Sequence, residues 1–137
     1  MERKITKTIH AGKLPIGGGT RVSVQSMLNV PADDIEGNVL QAVQLEQAGC
    51  DVVRVSIPDK NAVQLIDAIK QKISIPLVAD IHFDYHLALE AAAAGVDKIR
   101  INPGNIGSDD RIRAVAVACK SRGVPIRIGV NSGSLEK

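Results

Sequence analysis

The feature that most constrains this chain is a repeat in which a short apolar run precedes a segment with helical periodicity. The runs recur about every 21 to 30 residues, centred on Val24, Val53, Val78, Ile99 and Ile126. Continuous apolar runs are typical of buried parallel strands, and amphipathic segments between them are typical of connecting helices. The alternation therefore predicts an α/β architecture with a parallel sheet.

The pattern predicts five parallel strands and four helices after an amino-terminal lead-in. The strands are expected at residues 21–27, 52–56, 77–81, 98–102 and 126–131. The helices are expected to begin at Asp33, Asp59, Asp84 and Ser108, with Glu36 completing a capping box after Asp33. Residues 1–20 are expected to form a hairpin or coil, with its turn at the triple glycine 17–19. That glycine run lacks the GxGxxG spacing and no helix follows it, so a phosphate loop is not favoured.

Two folds share this alternation, an open doubly wound sheet and a (β/α)8 TIM barrel. In an open sheet, helices cover both faces, and both sides of each strand should be apolar. Here one alternating side is polar on four strands: Arg54 and Ser56; Asp80 and His82; Arg100 and Asn102; Arg127, Gly129 and Asn131. A barrel interior accommodates such residues near the carboxyl ends of its strands, where active sites of this fold lie.

The length adds a second constraint on the fold. A complete barrel needs about 250 residues and eight strand–helix units, whereas this chain has 137 residues. We therefore expect residues 1–137 to form the amino-terminal part of a TIM barrel, with the strand–helix units in residues 21–137. Its first and fifth strands would be unpaired edges, so we expect poor solubility or self-association of the chain alone.

Composition excludes some functions. A formal charge of +2 and the presence of one Phe and one Tyr argue against a nucleic-acid surface with stacked bases. No apolar run approaches 18 residues and no signal peptide is evident, so we expect a cytoplasmic protein without a membrane partner. Cys50 and Cys119 are far apart and form no CxxC motif. They are expected to be reduced, buried residues, and no metal site is expected in this chain.

Three arginines, Arg54, Arg100 and Arg127, occur at equivalent places near the ends of three strands. A guanidinium is always charged, and its planar fork matches phosphate oxygens in pairs. The arginines therefore predict an anionic ligand such as a phosphate ester or a diphosphate. The alternative is that they pair with acidic residues from the rest of a barrel. Asn102 and Asn131 would add neutral donors and acceptors.

Asp80 and His82 end the third strand on one face, which favours a general acid–base role or contacts to a substrate hydroxyl. For His82 the alternative is a partly buried imidazole with a structural hydrogen bond. Metal binding by this pair is not favoured, because no second His or carboxylate stands in a supporting position. The segment NPGN at 102–105 predicts a tight loop directly after a strand.

Several segments together resemble the 4-hydroxy-3-methylbut-2-enyl diphosphate synthase family of isoprenoid biosynthesis: VSVQSM, AGCDVVRVSIPD, IPLVADIHFDY, GVDKIRINPGNIG and PIRIGVNSGSLEK. The similarity runs over residues 5–137 and departs only at 28–35, where the family has a Thr-rich segment. The resemblance implies reductive ring opening of 2-C-methyl-D-erythritol 2,4-cyclodiphosphate in the methylerythritol phosphate pathway. Electrons would come from flavodoxin or ferredoxin through a 4Fe–4S cluster.

The resemblance also implies how the chain would contribute to such an enzyme. Its barrel would bind substrate, whereas a carboxyl-terminal domain outside this chain would hold the cluster and cap the partner's barrel in a homodimer. The chain alone is not expected to be active. By position, the family's substrate contacts correspond to Arg54, Arg100, Arg127, Asp80, Asn102 and Asn131, with His82 and Met27 lining the same mouth. The alternatives are another phosphate-binding barrel, such as a pteroate-synthase-like enzyme, and a non-catalytic anion-binding half barrel.

Overall fold

The computed structural model describes Glu2 and residues 4–132, and its main feature is one five-stranded parallel sheet. A two-stranded antiparallel hairpin precedes it, formed by strands β1 and β2 at Ile9–Ala11 and Leu14–Ile16. The sheet strands, numbered β3 to β7, are Gln25–Met27, Val52–Ser56, Leu77–Asp80, Lys98–Ile101 and Ile126–Ile128. The helices α1 to α5 are Ile35–Gln47, Gln64–Lys70, Tyr85–Ala93, Pro103–Ile106 and Asp109–Ser121. A 3-10 turn at Asn61–Val63 leads into α2.

The order of the strands confirms the barrel-type α/β architecture. Strands β3 to β7 are parallel neighbours in chain order, without the reversal that marks a doubly wound sheet. One face of each central strand contributes to the helix-covered core, as with Val53, Ile57 and Ile99. Val52 and Val78 are equally buried but lie outside that core, because they point to the opposite, inner face. The helices therefore cover one face and leave the inner face for polar groups.

The core on the helix side is aliphatic, as the scarcity of aromatic residues requires. Fully buried side chains from strands and helices meet there: Ile57, Leu65, Ile66, Ile69, Leu77, Ile81, Ile99, Ile101 and Ile106. Burying one such side chain contributes roughly 1.5–3 kcal/mol relative to leaving it exposed. This core therefore holds the helices against the outer face of the sheet, and the side chains of the inner face are not part of it.

The predicted position of the hairpin turn was wrong. The turn between β1 and β2 is Gly12–Lys13, whereas the triple glycine forms a second turn after β2. In that second turn the Thr20 amide donates to the Gly17 carbonyl at 3.1 Å. A Cβ on Gly12 would lie 3.0 Å from Asp97 Oδ1, so the hairpin turn packs where β6 begins. The hairpin thus lies at the amino-terminal end of the sheet.

Two of the four predicted helix starts, those of α1 and α2, differ from the structure. Helix α1 is capped by Asp34, whose Oδ1 accepts from the Gly37 amide at 2.9 Å, and not by Asp33. A Cβ on Gly37 would collide with the Asp34 carboxylate, so this glycine makes room for the cap. Asp84 caps α3 as predicted, because it accepts from the His86 amide. Asp59 accepts from the Ala62 amide in the 3-10 turn, whereas α2 itself begins at Gln64 without a side-chain cap. Ser108 precedes α5, but its side chain makes no capping bond.

The number of helices also differs from the prediction. The NPGN segment, predicted as a tight loop, instead begins a one-turn helix, α4, with Pro103 in its first turn. Proline fits the first helical position because its φ is already helical and it lacks only an amide that would be unpaired there. The described region therefore has five helices, where four were predicted.

The first sheet strand is shorter than predicted, and its lead-in is held by an ion pair and by hydrogen bonds to residues 51 and 52. Asp51 accepts from Arg21 Nη1 at 3.0 Å and from the Val24 amide at 2.7 Å. These bonds, the Arg21 bond first, hold the pKa of Asp51 at about 2, below its ordinary 3.8. Asp51 thus connects the approach to β3 with the start of β4.

The Asp51 contacts predict a specific pH dependence of stability. Because the folded pKa is depressed, the contribution is complete above pH 3.8 and is lost as pH falls through about 2. We expect Asp51→Asn to unfold at lower urea concentration than the parent at pH 7, with the difference shrinking toward pH 2. Urea titrations across this range test it, with Asp33→Asn as the exposed control. A difference that does not change with pH would contradict this account.

The two outer strands of the sheet predict self-association of the chain on its own. Exposed apolar side chains flank β3 and β7, among them Val22, Val24, Ile128 and Val130. Unpaired strand edges with apolar side chains are templates for pairing with another chain. We expect a sedimentation coefficient that rises with concentration, and a smaller rise for Val24→Lys. Val117→Lys, on the exposed side of α5, is the control, and a concentration-independent monomer would contradict the prediction.

Candidate functional site

The inner face of the sheet carries its polar side chains in rows, because registered residues of parallel strands share a face. Ser56, Asp80, Arg100 and Arg127 are successive partners across β4 to β7. Strands β4 and β5 end at this row, so it lies at the carboxyl-terminal edge of the sheet. Active sites of TIM barrels lie at this edge.

A second row lies one pleat closer to the amino-terminal ends of the strands. It consists of Met27, Arg54, Val78 and Lys98, again as successive register partners. Arg54 reaches from this row toward the carboxylate in the row above. The sheet therefore brings the predicted Arg54, Asp80, Arg100 and Arg127 to one face.

Asp80 is the centre of the arrangement. Its Oδ2 accepts from Arg54 Nη2 at 2.6 Å, and its Oδ1 accepts from Arg100 Nη1 at 3.3 Å. Asp80 is only 1% exposed, yet the two guanidiniums surrounding it retain some access to solvent. One carboxylate thus orients two arginines and balances the charge of one.

Arg100 is also held from the side of β7. Its Nη2 donates to the Gly129 carbonyl at 3.3 Å. A Cβ at Gly129 would collide with the guanidinium, so glycine at this position leaves space for Arg100. The arginine is therefore positioned by a carboxylate on β5 and by the backbone that follows β7.

His82 lies at the mouth of the site with one hydrogen bond already made. Its Nε2 is 2.9 Å from Ser56 Oγ and 3.9 Å from Asp80 Oδ2. The side chain keeps 40% of its surface exposed, so the ring is oriented by Ser56 but still open to a bound molecule. Ser56 was not predicted as a site residue, although its place two residues after Arg54 could have indicated it.

The other predicted residues occupy different depths. Asn102 is buried, and its Oδ1 accepts from the Gly104 amide at 3.1 Å, so it caps α4. Arg127 and Asn131 are exposed at and beyond β7, and Met27 is 44% exposed on the edge strand β3. Within the described residues, Arg127 makes no ion pair with a carboxylate. The three arginines and Asp80 together leave this face with a surplus of positive charge.

The described residues provide no iron–sulfur site. No group of three or more His, Cys, Asp or Glu side chains among them could hold a metal ion. Cys50 and Cys119 are buried, free thiols, and burial raises the pKa of the Cys119 thiol. A cluster needs cysteine thiolates that converge on it, so neither residue fits. Within the same residues, no helix is long and apolar enough to cross a bilayer.

The role of Asp80 predicts a large stability change on its removal. Asp80→Ala would leave two partly buried guanidiniums without a counter-charge. We expect the free energy of unfolding to fall by about 3 kcal/mol, the lower end of the usual range, because both guanidiniums keep some access to solvent. Ser56→Ala, which removes one hydrogen bond in the same row, should cost about 1 kcal/mol. Urea unfolding of the two variants tests this difference. Equal losses would show that Asp80 does not hold the arginines.

Solved structures with a similar fold are dihydropteroate synthases. The enzyme from Yersinia pestis has a TM-score of 0.70 and 18% identity, covering 95% of this chain and 49% of that chain. The enzyme from Stenotrophomonas maltophilia has a TM-score of 0.67 and 18% identity, covering 88% of this chain and 46% of that chain. At such identity the likeness establishes the fold alone.

Curated relatives are much closer in sequence. A protein of Geobacillus kaustophilus (strain HTA426) named 4-hydroxy-3-methylbut-2-en-1-yl diphosphate synthase (flavodoxin) is 56% identical over the whole chain. A protein of Ectopseudomonas mendocina (strain ymp) with the same name is 52% identical over the whole chain. The chain spans 37% of the length of each relative. Residues 6–137 match the GcpE TIM-barrel domain, and the chain therefore belongs to the GcpE family.

Proposed function

We propose that this chain forms the substrate-binding part of a 4-hydroxy-3-methylbut-2-en-1-yl diphosphate synthase and binds 2-C-methyl-D-erythritol 2,4-cyclodiphosphate. The observation that carries the proposal is the group of three arginines around Asp80 on the inner face of the sheet. Relatives at 52% and 56% identity bear that enzyme name. A cyclic diphosphate is a dianion, which suits a face with a positive surplus.

The reaction that fits this ligand is a reductive ring opening in isoprenoid biosynthesis. The cyclodiphosphate dianion takes up two electrons and one proton and gives the diphosphate trianion and one water. One ring carbon–oxygen bond breaks toward phosphate, and a hydroxyl leaves as the water. A flavodoxin would supply the electrons, in line with the relatives' names, through a 4Fe–4S cluster held outside the described residues.

The arginines would bind the two phosphate groups. Asp80 uses one nitrogen of Arg54 and one of Arg100, and a guanidinium has five N–H donors. Donors therefore remain on both for phosphate oxygens, and Arg127 has no carboxylate partner among the described residues. Asn102 and Asn131 would contribute neutral contacts at the same edge.

Two side chains at the mouth are suited to proton transfer. His82 is oriented by Ser56 and remains exposed, so it can donate a proton to the departing hydroxyl. Asp80 Oδ2 lies 3.9 Å from Nε2 of the same imidazole. Its carboxylate would hold the protonated ring close to the arginines. Met27 would line the opposite side of the mouth from β3, where it contributes an apolar contact.

The remaining parts of the enzyme would lie elsewhere in the complete protein. A carboxyl-terminal domain would hold the cluster, and a homodimer would place that domain over the partner's barrel. Residues 1–137 would then be a barrel segment whose role is to bind substrate in the cytoplasm, and this segment would not be active alone.

Replacement of Arg100 tests the proposed function in the complete gene product. Arg100→Ala should weaken binding of the cyclodiphosphate by about 1.5–3 kcal/mol, the contribution of a charge-assisted hydrogen bond. That corresponds to roughly a tenfold to hundredfold higher Kd in calorimetry. Arg113→Ala, an exposed arginine on α5, is the control and should bind normally. Unchanged affinity in Arg100→Ala would overturn the assignment, and tight binding by residues 1–137 alone would favour a non-catalytic module.

A further inference from the structure

Lys98 is a fourth cation on the inner face, and the sequence pattern did not single it out. It is the first residue of β6, and its register partner is Val78, whose own partner on β4 is Arg54. Lys98 therefore points to the same face as the arginines, two residues before Arg100. Among the described residues its ammonium makes no hydrogen bond and no ion pair.

The surroundings of Lys98 are unfavourable to a positive charge. Burial, followed by the charges of Arg127 and Arg54, lowers the pKa of Lys98 from its ordinary value. The carboxylate in this region, Asp80, is already bonded to Arg54 and Arg100. Lys70 shows the contrast, since it pairs with Asp97 at 2.6 Å on the outside of the sheet. Within the part of the chain that the structure describes, the Lys98 ammonium thus has no partner for its charge.

Counting charges suggests what Lys98 does. Among the described residues, the three arginines less Asp80 leave a surplus of two positive charges, which matches the cyclodiphosphate dianion. When the ring opens, the broken carbon–oxygen bond leaves its electron pair on a phosphate oxygen, and the ligand becomes a trianion. Lys98 supplies the third positive charge on this face. A cation already in place where charge develops stabilises the transition state more than the ground state.

We propose that Lys98 is a catalytic residue whose ammonium contacts the phosphate oxygen that becomes anionic as the ring opens. This inference rests on the proposed function and adds to it a residue for the leaving phosphate. The arginines bind both charge states of the ligand, whereas Lys98 distinguishes the opened diphosphate from the closed ring.

Binding measurements on the complete gene product test the proposal through a ratio of affinities. Calorimetry gives Kd values for the cyclodiphosphate and for 4-hydroxy-3-methylbut-2-enyl diphosphate in the parent and in Lys98→Met. We expect the Kd of the open diphosphate to rise about tenfold to hundredfold, as for a lost charge-assisted hydrogen bond. The Kd of the closed ring should change by less than about threefold. In steady-state kinetics, kcat should fall with little change in KM.

Matched variants separate this role from simple packing. Lys98→Arg should restore most of the preference for the open diphosphate, because it keeps the charge, and Lys60→Met, at an exposed lysine, should change nothing. If Lys98→Met does not fold, the same measurements are made on Lys98→Gln, which also removes the charge. Equal changes for both ligands, or none, would overturn the role of Lys98 while leaving the proposed function in place. Failure of the proposed function would appear separately, as unchanged cyclodiphosphate binding in Arg100→Ala.

Discussion

The site depends on one buried carboxylate placed between two arginines. Asp80 on β5 bonds to Arg54 on β4 and to Arg100 on β6, so it spans three adjacent strands. A buried ion pair of this kind is weak evidence for stability, because desolvation offsets much of the attraction. What it does provide is orientation, since each guanidinium is held through one of its nitrogens and keeps its other N–H donors. Arg100 has a further restraint from the Gly129 carbonyl. The geometry of the proposed phosphate site therefore exists without a ligand.

The fold allows this arrangement because the two faces of the sheet have separate tasks. On one face, Val53, Leu77 and Ile99 pack under the helices and stabilise the chain. On the other face, Arg54, Arg100, Arg127 and Lys98 bring like charges together. The hairpin turn at Gly12 packs near Asp97, at the opposite end of the strands from the site. Substitutions in the hairpin and substitutions at the carboxyl-terminal edge should thus act through different parts of the molecule.

The faces of the strands could be predicted from the sequence, because strand side chains alternate with a fixed period of two. Caps and turns could not be placed to the residue where neighbouring residues satisfy the same local rule. Alternation on strands placed Arg54, Asp80 and Arg100 on one face correctly, because the period of two leaves no freedom. The cap of α1 was placed one residue early, since two adjacent aspartates satisfy the same local rule and Gly37 selects Asp34 by leaving it space. The hairpin turn was predicted at the triple glycine because three glycines are a stronger turn signal than Gly12 alone, but both segments form turns. Partners such as Ser56 for His82 depend on strand register, which local sequence does not specify.

The division of donors around Asp80 is compatible with both roles proposed for this face, ligand binding and reaction. If Asp80 fully neutralised its neighbours, a phosphate group would gain little from them. Instead it takes one nitrogen from each of Arg54 and Arg100, and the rest stay available. Arg127 and Lys98 lie on the same face without a carboxylate among the described residues. In the proposed reaction, these two cations would be available to the negative charge that the ligand gains. Arg54 and Arg100 would then contribute mainly to binding, whereas Arg127 and Lys98 would contribute more as the ring opens.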